Sequence, residues 1–273
     1  MSTSVNVNSV QNDERKENAN HSDSPPPPTH KPSVTKSNGI KCFYTNTDQL
    51  NNKLEELILF SKEHDIDIIA LNETLPKNCS NEVPVFIIPG YECFPDNEGR
   101  GVCIFVKNSF EVKHITDIED MYSPSIFLKI NVTKNRSFVF ATIYRSPNCI
   151  ETDHDNICKQ IDAISKRYSK LDDKVVICGD FNYPDINWNT VTCTRNNINK
   201  SCMFLNTIQE NFLYQIIKEP THHRCQQTPT LIDLILTNDV NLVNNVDHFP
   251  PFGKSHHSVI CFSLDIEPPP ITA

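Results

Sequence analysis

No stretch of this 273-residue chain is apolar for long enough to cross a membrane, and the first 30 residues lack the apolar run of a signal peptide. An intracellular protein is expected. Positive charge is also in short supply: 25 Lys and Arg face 34 Asp and Glu, a formal charge of −9. That balance excludes a protein that grips nucleic acid over its whole surface by neutralising phosphates, and leaves any such attraction to a local basic patch or a bound cation. Paired cysteines are missing as well. The 11 cysteines occur singly, with no Cys-x-x-Cys and no Cys/His cluster at zinc spacing, so they read as reduced packing residues. No internal repeat is present.

What remains divides into three parts. Residues 1–38 are polar, rich in Ser, Asn and Asp, and carry Pro25-Pro26-Pro27-Pro28. They bury too little apolar surface to offset the entropy of ordering, and are expected to be a disordered tail. The proline run reads as a stiff spacer or as a ligand for a proline-binding module. Residues 39–266 hold the periodic segments of one large domain, and residues 267–273, with Pro268-Pro269-Pro270, form a short C-terminal tail.

Within the domain, Ile40–Tyr44 and Asp65–Leu71 read as strands flanking a helix from about Asp48 to Glu63, with Leu50, Leu54, Leu57 and Ile58 on one face and Thr47 or Asp48 as cap. Tyr91–Val106 reads as a hairpin turning at Gly99-Arg100-Gly101. Ser125–Ile130 and Phe138–Tyr144 are further strands, followed by a helix over about Asp153–Tyr168. Another helix is expected over Lys200–Phe212, with Met203, Phe204, Ile208 and Phe212 as its buried stripe, and Leu231–Leu236 and Ser258–Leu264 complete the sheets. The pattern by itself gives a mixed α and β domain.

The chemistry concentrates in Val175–Trp188, Val-Val-Ile-Cys-Gly-Asp-Phe-Asn-Tyr-Pro-Asp-Ile-Asn-Trp. Four apolar residues and Gly179 make a buried strand that delivers Asp180 and Asn182 to its end. A carboxylate there can hold a hard cation or polarise water, and an amide two residues on can orient that water or a phosphate oxygen without adding negative charge. Local chemistry equally allows a strand followed by an Asx turn. Asp233, inside Leu231-Ile232-Asp233-Leu234-Ile235-Leu236, is informative in its own right. A carboxylate in an apolar strand costs several kcal/mol unless paired, and His257 is the evident partner, unless Asp233 faces outward from an edge.

Gly179-Asp180-Phe181-Asn182 resembles the signature of the endonuclease/exonuclease/phosphatase superfamily, and its continuation Tyr183-Pro184-Asp185-Ile186-Asn187-Trp188 is similar to the apurinic-type endonuclease domains of non-LTR retrotransposons. Other segments follow in the family's order: Tyr44-Thr45-Asn46, Asn72-Glu73-Thr74, Tyr144-Arg145-Ser146-Pro147, Asp233, and Ser255-His256-His257. The resemblance implies a four-layer α/β sandwich of two packed, mostly antiparallel sheets flanked by helices. It also implies a metal-dependent DNA endonuclease that leaves a 3′-hydroxyl, with Mg²⁺, or Mn²⁺ in its place, as cofactor.

The roles it implies are Asp180, Asn182, His257, Asp233 and Tyr144 in catalysis, Asn46, Arg145 and Ser255 at the substrate, and Glu73, Asn46 and His256 around the metal. The family reads Ser-Asp-His where this chain has Ser255-His256-His257. A nitrogen in place of a carboxylate suits Mg²⁺ poorly, so reduced turnover is expected, and a catalytically impaired DNA-binding remnant is the alternative. A phosphatase of the same superfamily is a third reading. In an intact element a reverse transcriptase would use the 3′-hydroxyl. No polymerase segment follows the last strand, which suggests a fragment, an isolated domain or a domesticated remnant. Action on DNA would place the protein in the nucleus.

Overall fold

The structure, a computed structural model, describes residues 39–77, 83–118, 121–169, 173–193 and 200–269. The expected N-terminal tail, and residues 270–273 of the C-terminal one, lie outside the described residues.

The elements are β1 (Ile40–Asn46), α1 (Leu54–His64), β2 (Ile68–Asn72), β3 (Tyr91–Asp96), β4 (Val102–Lys107), β5 (Glu111–His114), β6 (Ser125–Thr133), β7 (Arg136–Tyr144), α2 (Glu151–Ser169), β8 (Lys174–Asp180), β9 (Ile186–Asn187), β10 (Thr192–Cys193), α3 (Lys200–Glu210), β11 (Tyr214–Gln215), β12 (Asp233–Thr237), β13 (Val243–Phe249) and β14 (Val259–Leu264). They build two six-stranded sheets, ordered β13-β14-β1-β2-β4-β3 and β11-β12-β8-β7-β6-β5, with β9 and β10 as a separate small ribbon. Only the β1–β2 and β7–β8 pairings are parallel among the described strands.

Strands buried on both faces need apolar residues throughout, which is why Val102–Val106 and Val175–Cys178 do not alternate. One face of each sheet meets the other: Tyr44, Ala70 and Ile104 of the first pack with Leu128, Phe140, Val176 and Ile235 of the second. On the outer side of the second sheet, Ile157, Ile161 and Ile164 of α2 and Phe204, Leu205 and Ile208 of α3 cover Val139, Ala141 and Ile177. Leu57 of α1 covers Phe43, Ile69 and Phe105 on the outer side of the first. Helix, sheet, sheet and helix are the four layers expected. Each fully buried side chain of this size contributes about 1.5–3 kcal/mol, so this double-sided burial is the main stabilising term.

Two local expectations are corrected, and two strands are added. Helix α1 starts at Leu54 with no side-chain cap, because Asp48 and Gln49 take left-handed backbone (φ 38 and 80), which no helix continues. The Thr47 hydroxyl instead donates towards the carbonyls of Asn72 and Glu73, tying β1 to the end of β2. Helix α3 stops at Glu210, and its inward stripe is Phe204, Leu205 and Ile208; Met203 is 42% exposed and Phe212, beyond the helix at φ 53, is 79% exposed. Finally, β5 and β13 are strands with no apolar alternation. Both are sheet edges, where polar side chains discourage pairing with other chains.

Candidate active site

Strand register brings the chemistry together. In the second sheet Tyr144 pairs with Asp180 and Asp180 with Asp233, so three strands end in a row of three polar side chains. In the first sheet Asn46 pairs with Asn72, and Glu73 follows directly at φ 50. Gly179 makes the second row possible: a Cβ there would lie 2.1 Å from the Ile143 carbonyl oxygen, so only glycine lets the strand carrying Asp180 approach β7 so closely.

Hydrogen bonds then join the rows across the inter-sheet gap. Asn46 Nδ2 donates to Glu73 Oε1 (3.1 Å) and to Asp180 Oδ2 (2.9 Å). The Asp180 amide donates to Asn72 Oδ1 (2.8 Å), and Asn72 Nδ2 donates to the Thr142 hydroxyl (2.9 Å). His257 Nδ1 lies 2.8 Å from Asp233 Oδ2, while its Nε2 faces Asp180 Oδ2 at 3.8 Å. Tyr44 Oη meets Asp233 Oδ1 at 2.8 Å, and the Asp233 amide donates to Thr221 Oγ1 (3.0 Å).

The result is an open cleft of about 500 Å³ lined by Asn46, Glu73, Tyr144, Asp180, Asn182, His256 and His257, with Lys77, Arg100, His222 and Arg224 completing its wall. Asp233 is fully buried behind His257. Asn182, at φ 52, donates its amide to the Arg145 carbonyl (2.7 Å) and its backbone N–H to Asp180 Oδ1 (3.2 Å).

Two residues expected at the substrate are turned inward. Arg145 is buried over the Tyr183 ring at 4.2 Å and donates to the Phe181 and Asn182 carbonyls (3.4 and 3.1 Å). It faces a neighbouring pocket of about 430 Å³ instead of the cleft. The Ser255 hydroxyl donates to the Asn46 carbonyl (2.7 Å) and accepts the His257 amide (3.2 Å), so it fixes the loop that carries the histidine. His256 is exposed on the rim, its carbonyl accepting the His223 N–H (2.8 Å).

Proton affinities follow from this packing. Burial lowers the pKa of His257, but the charge and hydrogen bond of Asp233, helped by Asp180 and Glu73, outweigh it and raise the imidazole to about 9. Burial pushes Asp233 up, yet His257, Thr221 and Tyr44 hold its carboxyl below the usual value. Asp180 goes the other way: burial and then the Asp233 charge raise it to about 8, only partly countered by His257 and Asn46. At neutral pH the site therefore holds an imidazolium beside an ionised Asp233, while Asp180 exchanges its proton near working pH. An ionised Asp180 can take a proton from water; a protonated one can give it to a leaving oxygen. Tyr144 keeps its phenolic proton, because burial, then the charge and hydrogen bond of Glu73, push its pKa well up.

The Glu73 and Asp180 carboxylates offer the oxygen ligands that a hard divalent cation takes. Asn46 turns its amide nitrogen towards both carboxylates and leaves its oxygen to the Asp48 N–H (3.0 Å). Ligand atoms of Asp180, Asp233 and His257 also lie within 4.8 Å of one another, a second grouping able to hold a metal. The donors fit such an ion.

Several of these residues escaped the sequence reading. Tyr44 had a signal, since it shares a strand face with Asn46 two residues on. Asn72 stands in the Asn72-Glu73-Thr74 segment with no role of its own, and Thr221 had no signal, because a polar residue in a loop is ordinary. Arg100 was hidden inside a glycine turn.

Comparison of the sequence with curated proteins finds no significant match. A family model described as Endonuclease-reverse transcriptase matches residues 138–261, the span that holds Tyr144, Asp180, Asn182, Asp233 and His257. Among solved structures, the endonuclease domain of TRAS1, a telomere-specific non-LTR retrotransposon, is 14% identical with a TM-score of 0.63, covering 84% of this chain and 99% of that one. The 3′-5′ exonuclease NExo of Neisseria meningitidis is 13% identical with a TM-score of 0.62, covering 83% and 100%. An AP endonuclease of Archaeoglobus fulgidus is 16% identical with a TM-score of 0.56, covering 83% and 100%. The chain has the fold of these proteins, and over residues 138–261 it matches the Endonuclease-reverse transcriptase family.

Proposed function

We propose that the protein is a metal-dependent DNA endonuclease of the non-LTR retrotransposon type, which hydrolyses a phosphodiester and leaves a 3′-hydroxyl. The observation that carries this reading is the Asn46 amide spanning Glu73 and Asp180 beside the Asp233–His257 pair, five segments of two sheets drawn to one cleft. Glu73 and Asp180, bridged by the Asn46 amide, would hold Mg²⁺, or Mn²⁺ in its place. The ion would neutralise phosphate charge and lower the pKa of water. Asp180 exchanges a proton with the attacking water or the leaving oxygen, and Asn182 positions it. The His257 imidazolium, fixed by Asp233, donates to the phosphoryl oxygen as negative charge develops, and the Tyr144 phenol donates beside it. The inward positions of Arg145 and Ser255 suit support of this constellation, leaving Lys77, Arg100 and Arg224 as the cleft's basic groups.

The TRAS1 domain is named for a retrotransposon endonuclease, and a Neisseria NExo variant for its complex with a product DNA hairpin, which supports DNA as substrate. The reading asks for a reverse transcriptase as partner and for access to nuclear DNA. Relaxation of supercoiled plasmid tests it: the native chain nicks with Mg²⁺ and stops with chelator, Asp180→Ala loses nicking, and a polymerase extends the nick without prior phosphatase treatment. Cleavage that ignores metal or survives Asp180→Ala rejects the proposal.

His256 and the formal charge of −9 favour a second reading, a DNA-binding remnant with impaired catalysis. DNA binding without any metal-dependent cleavage would select it. Turnover of a phosphoinositide or mononucleotide with plasmid untouched would select the phosphatase.

A further inference from the structure

Arg100 sits against the Glu73 carboxylate, the group that the proposed function assigns to the metal. The turn between β3 and β4 is pressed against the segment after Glu73: the Leu75 amide donates to the Arg100 carbonyl (2.9 Å) and the Thr74 amide to that of Gly101 (3.2 Å). Gly101, at φ +68, has no space for a side chain, since a Cβ would lie 2.7 Å from Thr74 Oγ1. The backbone thus fixes where the arginine starts. Its Nε and Nη2 donate to Glu73 Oε2 at 2.8 and 2.5 Å, and Nη2 also meets Asp48 Oδ1 at 2.6 Å. The Arg100 and Glu73 side chains are only 15% and 16% exposed, so water screens the pair weakly.

A carboxylate offers about four lone-pair sites. Arg100 takes two of those on Glu73 and Asn46 one, and the Tyr144 phenol hydrogen-bonds the same carboxylate. A guanidinium does not lose its proton in a protein, so raising the pH does not release it. A competing cation can.

We propose that Arg100 is a built-in competitor for divalent metal at Glu73, so that loading the site exchanges guanidinium for metal and frees Arg100 for a substrate phosphate. This rests on the metal-dependent reading above and adds a residue that sets the metal requirement. Asp48, on the rim, shares the guanidinium and keeps it close to the cleft.

Manganese binding to the substrate-free protein, followed by loss of the free Mn²⁺ paramagnetic resonance signal, tests the exchange without any catalysis. Arg100→Gln is expected to bind Mn²⁺ roughly tenfold more tightly than the native chain, the scale of one charge-assisted pair. Arg100→Lys, which keeps the charge but loses the fork, falls between. With Glu73→Gln already present, Arg100→Gln changes nothing. Equal or weaker Mn²⁺ binding by Arg100→Gln overturns the inference, as does an undiminished effect without Glu73. Tighter binding in a chain that never nicks plasmid would leave the exchange standing and remove the endonuclease. Metal-dependent nicking with unchanged Mn²⁺ affinity would do the reverse.

Discussion

Tyr44 Oη and Asp233 Oδ1 lie 2.8 Å apart, although Tyr44 is in the first sheet and Asp233 in the second. Burial, then the charge of Asp233, push the phenol well above its usual pKa, so it remains a donor. With Tyr44 on one oxygen and His257 on the other, a fully buried carboxylate stays ionised. Tyr44→Phe keeps the ring and removes the donor. It is expected to cost about 1–3 kcal/mol in urea denaturation and to raise the Asp233 pKa, visible as a carboxyl titration displaced to higher pH by NMR. An unchanged midpoint together with an unchanged titration would show that Tyr44 only packs.

The charge state of the triad sets how stability changes with pH. His257 is raised from 6.5 to about 9, so its contribution is complete below 6.5 and is lost as pH climbs through about 9. Asp180, raised to about 8, pushes in the same direction, because ionising it costs stability from the usual carboxylate range upward. Asp233 has the opposite sign and matters only in acid, where its stabilisation is lost as it protonates. Without metal, unfolding midpoints should fall between pH 6 and 9.5, with the His257 share on the order of 3 kcal/mol. His257→Gln should flatten that fall. A native profile already flat across the range would contradict the ion pair.

Long apolar runs and strand-end polar residues made most of this fold readable, because a strand buried on both faces has few other sequences open to it. Asp233 was legible for the same reason, as a charge in such a run that demands a partner. Edge strands β5 and β13 were not, since Glu111–His114 and Val243–Phe249 are polar and owe their conformation to neighbours distant in sequence. Arg145 shows the limit within the site. A basic residue after a strand end looks free to meet phosphate, and only the tertiary position of the Tyr183 ring turns it inward. Arg100 is the converse, a turn residue whose partner Glu73 lies 27 positions away.

Gly179 is where fold and site share one constraint. A Cβ there meets the Ile143 carbonyl at 2.1 Å, and backbone in the middle of a sheet cannot yield cheaply. Gly179→Ala should therefore part β8 from β7 locally, costing about 1–3 kcal/mol or more. Because Asp180 is the next residue, turnover should fall further than a purely global loss of stability explains. Thermal melting read beside nicking well below the melting temperature separates the two effects. A variant with native melting and native turnover would mean that the strands have slack the structure denies.

His256 offers the sharpest test of the proposed chemistry. It lines the cleft that holds Glu73 and Asp180, and its ring is exposed, so Asp fits there without repacking. His256→Asp adds a further hard oxygen donor and one more negative charge to a cleft already holding Glu73 and Asp180. In the absence of metal that charge should lower the melting temperature through repulsion. With Mg²⁺ the order should reverse, because a site with more carboxylate gains more from the ion. Nicking should then rise by about tenfold, and its half-saturating Mg²⁺ concentration should drop. Equal turnover and equal Mg²⁺-induced stabilisation in the two proteins would mean that position 256 lies outside the metal's reach, and that the histidine has no part in limiting the enzyme.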